Sequence, residues 1–174
     1  FDELVEMAEK APAFKAVLNV DDPAFLAAGD MPARVQAYCK KTGQDAPEGP
    51  GEISRVIYES LALMYRWGIE ALERDMLKKP VDVLHIVGGG SKNEMLNAFT
   101  AAAIGRPVIA GPSEGTVIGN LMVQAMAVAG VPDLPALRKV VANSFPTKTC
   151  APAGDGKAWD AAYEKLLSLM KAHG

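Results

Sequence analysis

Apolar positions recur with helical spacing along most of this chain and as short continuous runs in a few places. Phe1, Leu4, Val5 and Ala8, with acids between them, predict a short amphipathic helix that Pro12 stops. Phe14 to Val20 reads as a brief strand, and Asp21-Asp22-Pro23 as a turn, with Phe25-Leu26 anchoring the loop after it. Asp30 is the expected N-cap of a helix from Met31 to about Lys41, with Pro32 in the first turn, where a missing N–H does no harm. The Pro- and Gly-rich stretch from Gln44 to Gly51 is a surface connection too short to separate folded units. The longest element runs from Glu52 to Lys79 and ends at Pro80. Ile53, Val56, Ile57, Leu61, Met64, Gly68, Leu72 and Met76 share one stripe of it, read as core. Gly68, costly in mid-helix, is read as permitting a close contact.

The stretch from Val81 to Thr116 organises the rest. Val81 to Val87 is an apolar, β-branched run of strand length, and Gly88-Gly89-Gly90 ends it. Ser91-Lys92-Asn93-Glu94 then opens a helical pattern with Met95, Leu96, Phe99 and Ala103 on one face, closed by Gly105. Ser91 and Glu94 have capping-box spacing. Val108-Ile109-Ala110 makes a second strand, and Gly111 to Thr116 leads into another helix, so a parallel strand pair joined by a helical crossover is expected. The helix from Thr116 to Ala129 carries almost no charge, which predicts burial on most sides. Asp133 caps a further helix with Leu134, Leu137, Val140 and Val141. Ser144 to Gly156 reads as a loop, and Lys157 to His173 as a terminal helix with Trp159, Ala162, Leu166 and Met170 inward.

Composition narrows the function classes. The net charge of −3 gives no basic footprint, so nucleic acid is not an expected partner. No apolar run reaches membrane-spanning length, which argues against a membrane partner, and Cys39 and Cys150 lack metal-type spacing; free thiols in a reducing cytoplasm are expected. His85 lies inside the central strand and is read as a core residue, His173 at a frayed end, and Glu114 as a helix cap. The triple glycine is chemically useful, because consecutive residues without Cβ let a ligand approach the main chain. The amides of Gly89, Gly90 and Ser91 also lie near the positive end of the next helix, where anions are favoured. It is neither the dinucleotide fingerprint nor a P-loop. No catalytic base or nucleophile is visible, so in an enzyme the chemistry would lie outside this stretch.

Four stretches together resemble the C-terminal lobe of the FGGY carbohydrate kinases. They are Asp21-Asp22-Pro23-Ala24-Phe25-Leu26; Asp30-Met31-Pro32-Ala33-Arg34 through Cys39 with Thr42-Gly43-Gln44; and Glu59-Ser60-Leu61-Ala62 before Tyr65-Arg66. The fourth is His85-Ile86-Val87-Gly88-Gly89-Gly90-Ser91-Lys92-Asn93 with Leu96-Asn97, continuing to Val108-Ile109-Ala110-Gly111-Pro112 and Gly119-Asn120. The resemblance implies an α/β lobe of the ribonuclease H-like, actin-like ATPase fold, with helices packed on a small sheet. Residues 1–174 would be the nucleotide-binding domain, and the sugar-binding N-terminal lobe and this lobe's opening strands would precede Phe1. It implies ATP with Mg²⁺ as cofactors, held between the lobes. A ketose would be phosphorylated, L-rhamnulose first, with L-fuculose or xylulose, or a binding lobe without catalysis, as alternatives. Gly88, Gly89 and Gly90 are carried over as the adenosine-side turn, Gly89 foremost, and Ser91 and Asn93 as lining the adenine. The catalytic Asp would lie upstream. The chain departs from the family at Gly115, where alanine is common, at Ser113, where the residue is usually apolar, and at Ala28, where proline is expected.

Overall fold

The computed structural model describes residues 2–172; the expectation for His173 falls outside them. Among the described residues, seven α-helices and three short strands occur in the order α1 (Asp2–Lys10), α2 (Met31–Lys41), α3 (Gly49–Leu72), β1 (Leu84–Ile86), α4 (Glu94–Ile104), β2 (Val108–Ala110), α5 (Gly115–Val128), α6 (Leu134–Ser144), β3 (Lys148–Cys150) and α7 (Gly156–Ala172). The sheet order is β1-β2-β3. β1 runs parallel to β2, pairing Leu84 with Val108 and Ile86 with Ala110, and β3 returns antiparallel with Cys150 opposite Val108. The parallel pair follows the sequence expectation. β3 lies inside the stretch read as a loop; its β-branched signal is a single threonine, Thr149, between Lys148 and Cys150.

Helix α3 begins three residues before the expected Glu52. Glu52 makes this possible: its Oε2 accepts the N–H of Glu48 at 2.6 Å, closing the first turn from within. The close contact expected at Gly68 falls at Gly51 instead, where an added Cβ would lie 2.8 Å from the Met7 carbonyl oxygen, so α1 crosses α3 at a distance only glycine allows. At its far end α3 widens into a π turn, Glu73–Leu77, that stops at Lys78 in the left-handed conformation. The Glu73 carboxylate accepts from the Val81 N–H and pairs with Arg106, tying this end to both strands' entry points. That pairing holds the Glu73 carboxyl below its ordinary value.

Two buried clusters grip α3. Ala62 and Leu63 meet Val17, Ala103 of α4, and Trp159, Ala162, Tyr163 and Leu166 of α7. Ile53 and Val56 meet Ala16, Leu18 and, from α2, Val35, Tyr38 and Cys39. A third cluster, Ile86, Ala101 and Val108, joins α4 to the sheet. Leu63 is fully buried, so Leu63→Ala is expected to cost about 2–5 kcal/mol, measured by denaturant unfolding.

The run from Phe14 to Val20 forms no strand. Its backbone is satisfied by side chains: Gln44 Oε1 accepts from Val17 N–H, Gln44 Nε2 donates to the Val17 carbonyl, and Ser60 Oγ and Tyr38 Oη accept from Leu18 and Asn19 N–H. Gln44, expected on a surface connection, is thereby buried. Helix α5 also departs from expectation, since only Ile118 is buried in it, while Val117, Leu121, Val123 and Val128 are exposed. The lower half of the α3 stripe is open too: Leu61, Met64, Gly68 and Leu72 line an apolar groove of about 460 Å³ with Val20 and Leu96.

Candidate functional site

β1 delivers the chain into the glycine turn. Only three of the seven residues in the expected strand pair as such, Leu84 to Ile86, and the strand alternates: Ile86 is buried and His85 exposed. His85 is therefore not a core residue. After Val87, Gly88 adopts φ +83° and ψ −168°, a conformation that L side chains rarely adopt. The N–H of Gly88 donates to the Pro112 carbonyl at 3.0 Å, and that of Gly111 to the Ile86 carbonyl at 2.8 Å. The turns that follow β1 and β2 are thus held side by side, with a cis peptide between Gly111 and Pro112.

Residues Gly89–Lys92 form one 3-10 turn, and α4 starts at Glu94 rather than at Ser91. The expected capping box does not form. Asn93 takes the N-cap, its Oδ1 accepting from Leu96 N–H at 3.0 Å, because the 3-10 turn has moved the cap two residues on from Ser91. Ser91 serves the turn instead: its Oγ and its N–H both donate to the Gly88 carbonyl, at 2.7 and 3.1 Å. The Ser91 amide is consequently not offered to a ligand. Gly89 and Gly90 open the 3-10 turn, where the first N–H groups have no acceptor within the helix itself. Both are exposed, and an added Cβ at either would have no heavy atom within 4 Å. The structure therefore brings all five expected residues, Gly88, Gly89, Gly90, Ser91 and Asn93, onto one open turn, with two of them free of side-chain cover.

Charged residues flank the turn: Lys92 lies within it, and Glu94 at the start of α4 pairs with Lys148 at 2.7 Å. The start of α5 lies against the strand end, since a Cβ at Gly115 would sit 3.1 Å from Val87 Cβ. The methyl group of the more common alanine would meet that valine. Glu114 occupies the N-cap of α5, but its carboxylate makes no capping bond and is exposed. Sequence reasoning gave no role to Asn97, which is buried in α4 and donates from Nδ2 to the Ser91 carbonyl at 2.9 Å. With Thr100 it is one of two polar residues buried on α4 among Met95, Leu96 and Ala101, and nothing local marks its bond to the turn. The groove on α3 is not this site: of the turn's neighbours, only Leu96 reaches it. Among the described residues, no cluster of three or more His, Cys, Asp or Glu side chains could hold a metal ion, and no helix is long and apolar enough to cross a membrane.

A parallel strand pair, a glycine turn at the end of its first strand, and helices packed on a small sheet define a lobe of the actin-like ATPase fold. The chain belongs to the FGGY family of carbohydrate kinases, whose C-terminal domain it matches over residues 1–128. It is 47% identical over 171 residues to a rhamnulokinase of Bacteroides thetaiotaomicron, covering 98% of this chain and 35% of that protein. In fold it is similar to the xylulose kinase of Rhodospirillum rubrum, with a TM-score of 0.68 at 21% identity, over 98% of this chain and 33% of that one. A Plasmodium falciparum glycerol kinase solved with ADP gives a TM-score of 0.68 at 17% identity, over 99% of this chain and 33% of that one. The chain spans about a third of the length of the relatives it matches.

Proposed function

We propose that this chain is the nucleotide-binding C-terminal part of an ATP-dependent kinase that phosphorylates L-rhamnulose on its primary C1 hydroxyl. The observation that carries the nucleotide half is the open turn: Gly89 and Gly90 follow a parallel strand, both are exposed, and an added Cβ at either would meet no heavy atom within 4 Å. Such a turn receives a nucleotide through its main chain, and the positive end of α4 behind it favours the phosphates. Gly89 would make the closest backbone contact, Gly88 and Gly90 would frame it, and Ser91 and Asn93 would line the adenine side. The long α3 and the start of α5 would wall the pocket. The sugar assignment draws on the identity to a rhamnulokinase over nearly the whole chain, and the ADP bound to a glycerol kinase of similar fold agrees with the nucleotide assignment.

The bond-making groups lie outside these residues. ATP would supply the phosphoryl group, and this chain would bind and orient it, positioning being the main work of such catalysts. The general base for the sugar hydroxyl would be an upstream Asp. Among the described residues no carboxylate cluster could hold Mg²⁺, so no step is assigned to it through this chain. Three surfaces support an upstream continuation of the same lobe: the unpaired outer edge of β1, the apolar groove on α3, and the exposed apolar residues of α5. Strands extending the sheet past β1 would pair its outer edge.

A coupled ADP-release assay tests the assignment. The full-length protein, given L-rhamnulose, L-fuculose and xylulose, is expected to show its highest kcat/KM for L-rhamnulose, and the 174-residue chain alone is expected to show none. Sugar phosphorylation by the chain alone, or equal kcat/KM across the three ketoses, would overturn it.

A further inference from the structure

We propose that Asn97 is the positioning residue of the glycine turn, holding it in the shape that admits a nucleotide; the inference rests on the function proposed above. Nothing packs on Gly89 or Gly90 from the open side. Their orientation therefore depends on the turn's own bond, from Asn93 N–H to the Gly90 carbonyl at 3.1 Å, and on the hydrogen bonds at either end. At its entry, the Gly88 carbonyl accepts from Ser91 N–H and Oγ–H, and Gly88 N–H is held by Pro112. At its exit, the Ser91 carbonyl accepts from Asn97 Nδ2 at 2.9 Å. A chain of hydrogen bonds thus runs from Asn97 through Ser91 and Gly88 to Pro112, past the two bare residues.

Asn97 differs from Thr100, the buried hydroxyl on the same helix, which donates to the Leu96 carbonyl one turn back. Such a bond satisfies the hydroxyl within the helix. Asn97 is 1% exposed and reaches out of α4 to the turn. Its Oδ1 is buried without a partner among the described residues. A buried acceptor without a donor lowers stability. A leucine of similar size would avoid that cost, so stability alone does not account for an asparagine here. What the leucine would lack is the donor to Ser91.

The test uses the full-length protein with Asn97→Leu and Asn97→Ala. Thr100→Val serves as a control for lost polar contacts in the same helix, and Gly89→Asp as the reference for the turn. Losing one positioning hydrogen bond is expected to raise the KM for ATP about tenfold, with the KM for the sugar unchanged and kcat at saturating ATP little altered. Asn97→Leu is expected to melt no lower than the parent protein; Asn97→Ala decides the kinetic question if leucine does not fit. Thr100→Val should lower the melting midpoint and leave the KM for ATP in place. The inference is overturned if both Asn97 variants keep the parental KM for ATP while Gly89→Asp raises it, or if they lose stability and kcat alone, as a purely structural residue would. If Gly89→Asp leaves the KM for ATP unchanged, the nucleotide assignment itself fails, and the role of Asn97 with it.

Discussion

Gly89→Asp in the full-length protein is expected to raise the KM for ATP at least about a hundredfold, with the melting midpoint nearly unchanged. The substitution is structurally mild. Gly88, not Gly89, holds the left-handed backbone, and the space where the new Cβ would stand is open. The effect is electrostatic. Two like charges about 4 Å apart repel by roughly 4 kcal/mol at an effective dielectric near 20. Salt and solvent at an exposed turn reduce that, and about 2.7 kcal/mol corresponds to two decades in affinity. Gly89→Ala separates charge from bulk: the same carbon without the carboxylate should shift the KM far less. An aspartate variant with the parental KM for ATP would remove the turn from the nucleotide site.

The second large effect is expected at Glu59, whose substitution by alanine should destabilise the protein by about 3–5 kcal/mol. Glu59 is 2% exposed. Its Oε2 accepts from the Phe14 N–H and its Oε1 from Arg55 Nε, both at 2.8 Å. Arg55 in turn donates to the carbonyls of Ala8 and Glu9 at the end of α1, and its guanidinium lies 5.3 Å from the centre of the Phe99 ring. One carboxylate therefore ties α1, the Phe14 segment, α3 and α4 together. Removing it leaves a mostly buried guanidinium without its counter-charge and an amide without an acceptor. A fall of about 10 °C in the melting midpoint follows for a protein of this size; a fall of 2 °C or less would mean that the cluster contributes little.

The same residue predicts a pH dependence. Burial pushes the Glu59 carboxyl above its ordinary value, outweighing the opposing pull of Arg55 and the Phe14 amide. The folded protein then holds this proton more tightly than the unfolded one. Its contribution to stability falls as pH rises from the unfolded carboxyl range through the raised folded value, and levels off beyond. Glu59→Gln, which keeps an oxygen for Phe14, should flatten that part of the stability profile.

What the sequence made legible was local. The helix starts at Asp30 and Asp133 follow from side chains that cap within three residues, and both caps form, to Ala33 and Ala136 N–H. The strand, glycine turn and helix at the centre were legible because period, length and glycine agree. The exact start of α4 was not, since Ser91 and Asn93 both have capping chemistry, and a tertiary choice at Gly88 decides between them. The Phe14 run and α5 misled for opposite reasons. The first has strand composition, but Gln44, Tyr38 and Ser60 take its hydrogen bonds from 19 to 42 residues away. The second has the composition of a buried helix, yet most of its apolar surface meets nothing among the described residues. Asn97 escaped because asparagine in a helix has no local signature for a long-range bond.

Gln44 gives the extended segment beside it a property that its composition would deny. A stretch of apolar residues with free backbone groups invites another chain to line up alongside and spread into an aggregate. By offering one donor and one acceptor to the same residue, Val17, the Gln44 amide fills the berth that a neighbouring chain would otherwise occupy. With Ser60 and Tyr38 on the next two residues and the segment itself buried, no backbone from Val17 to Asn19 is left for another chain to line up against.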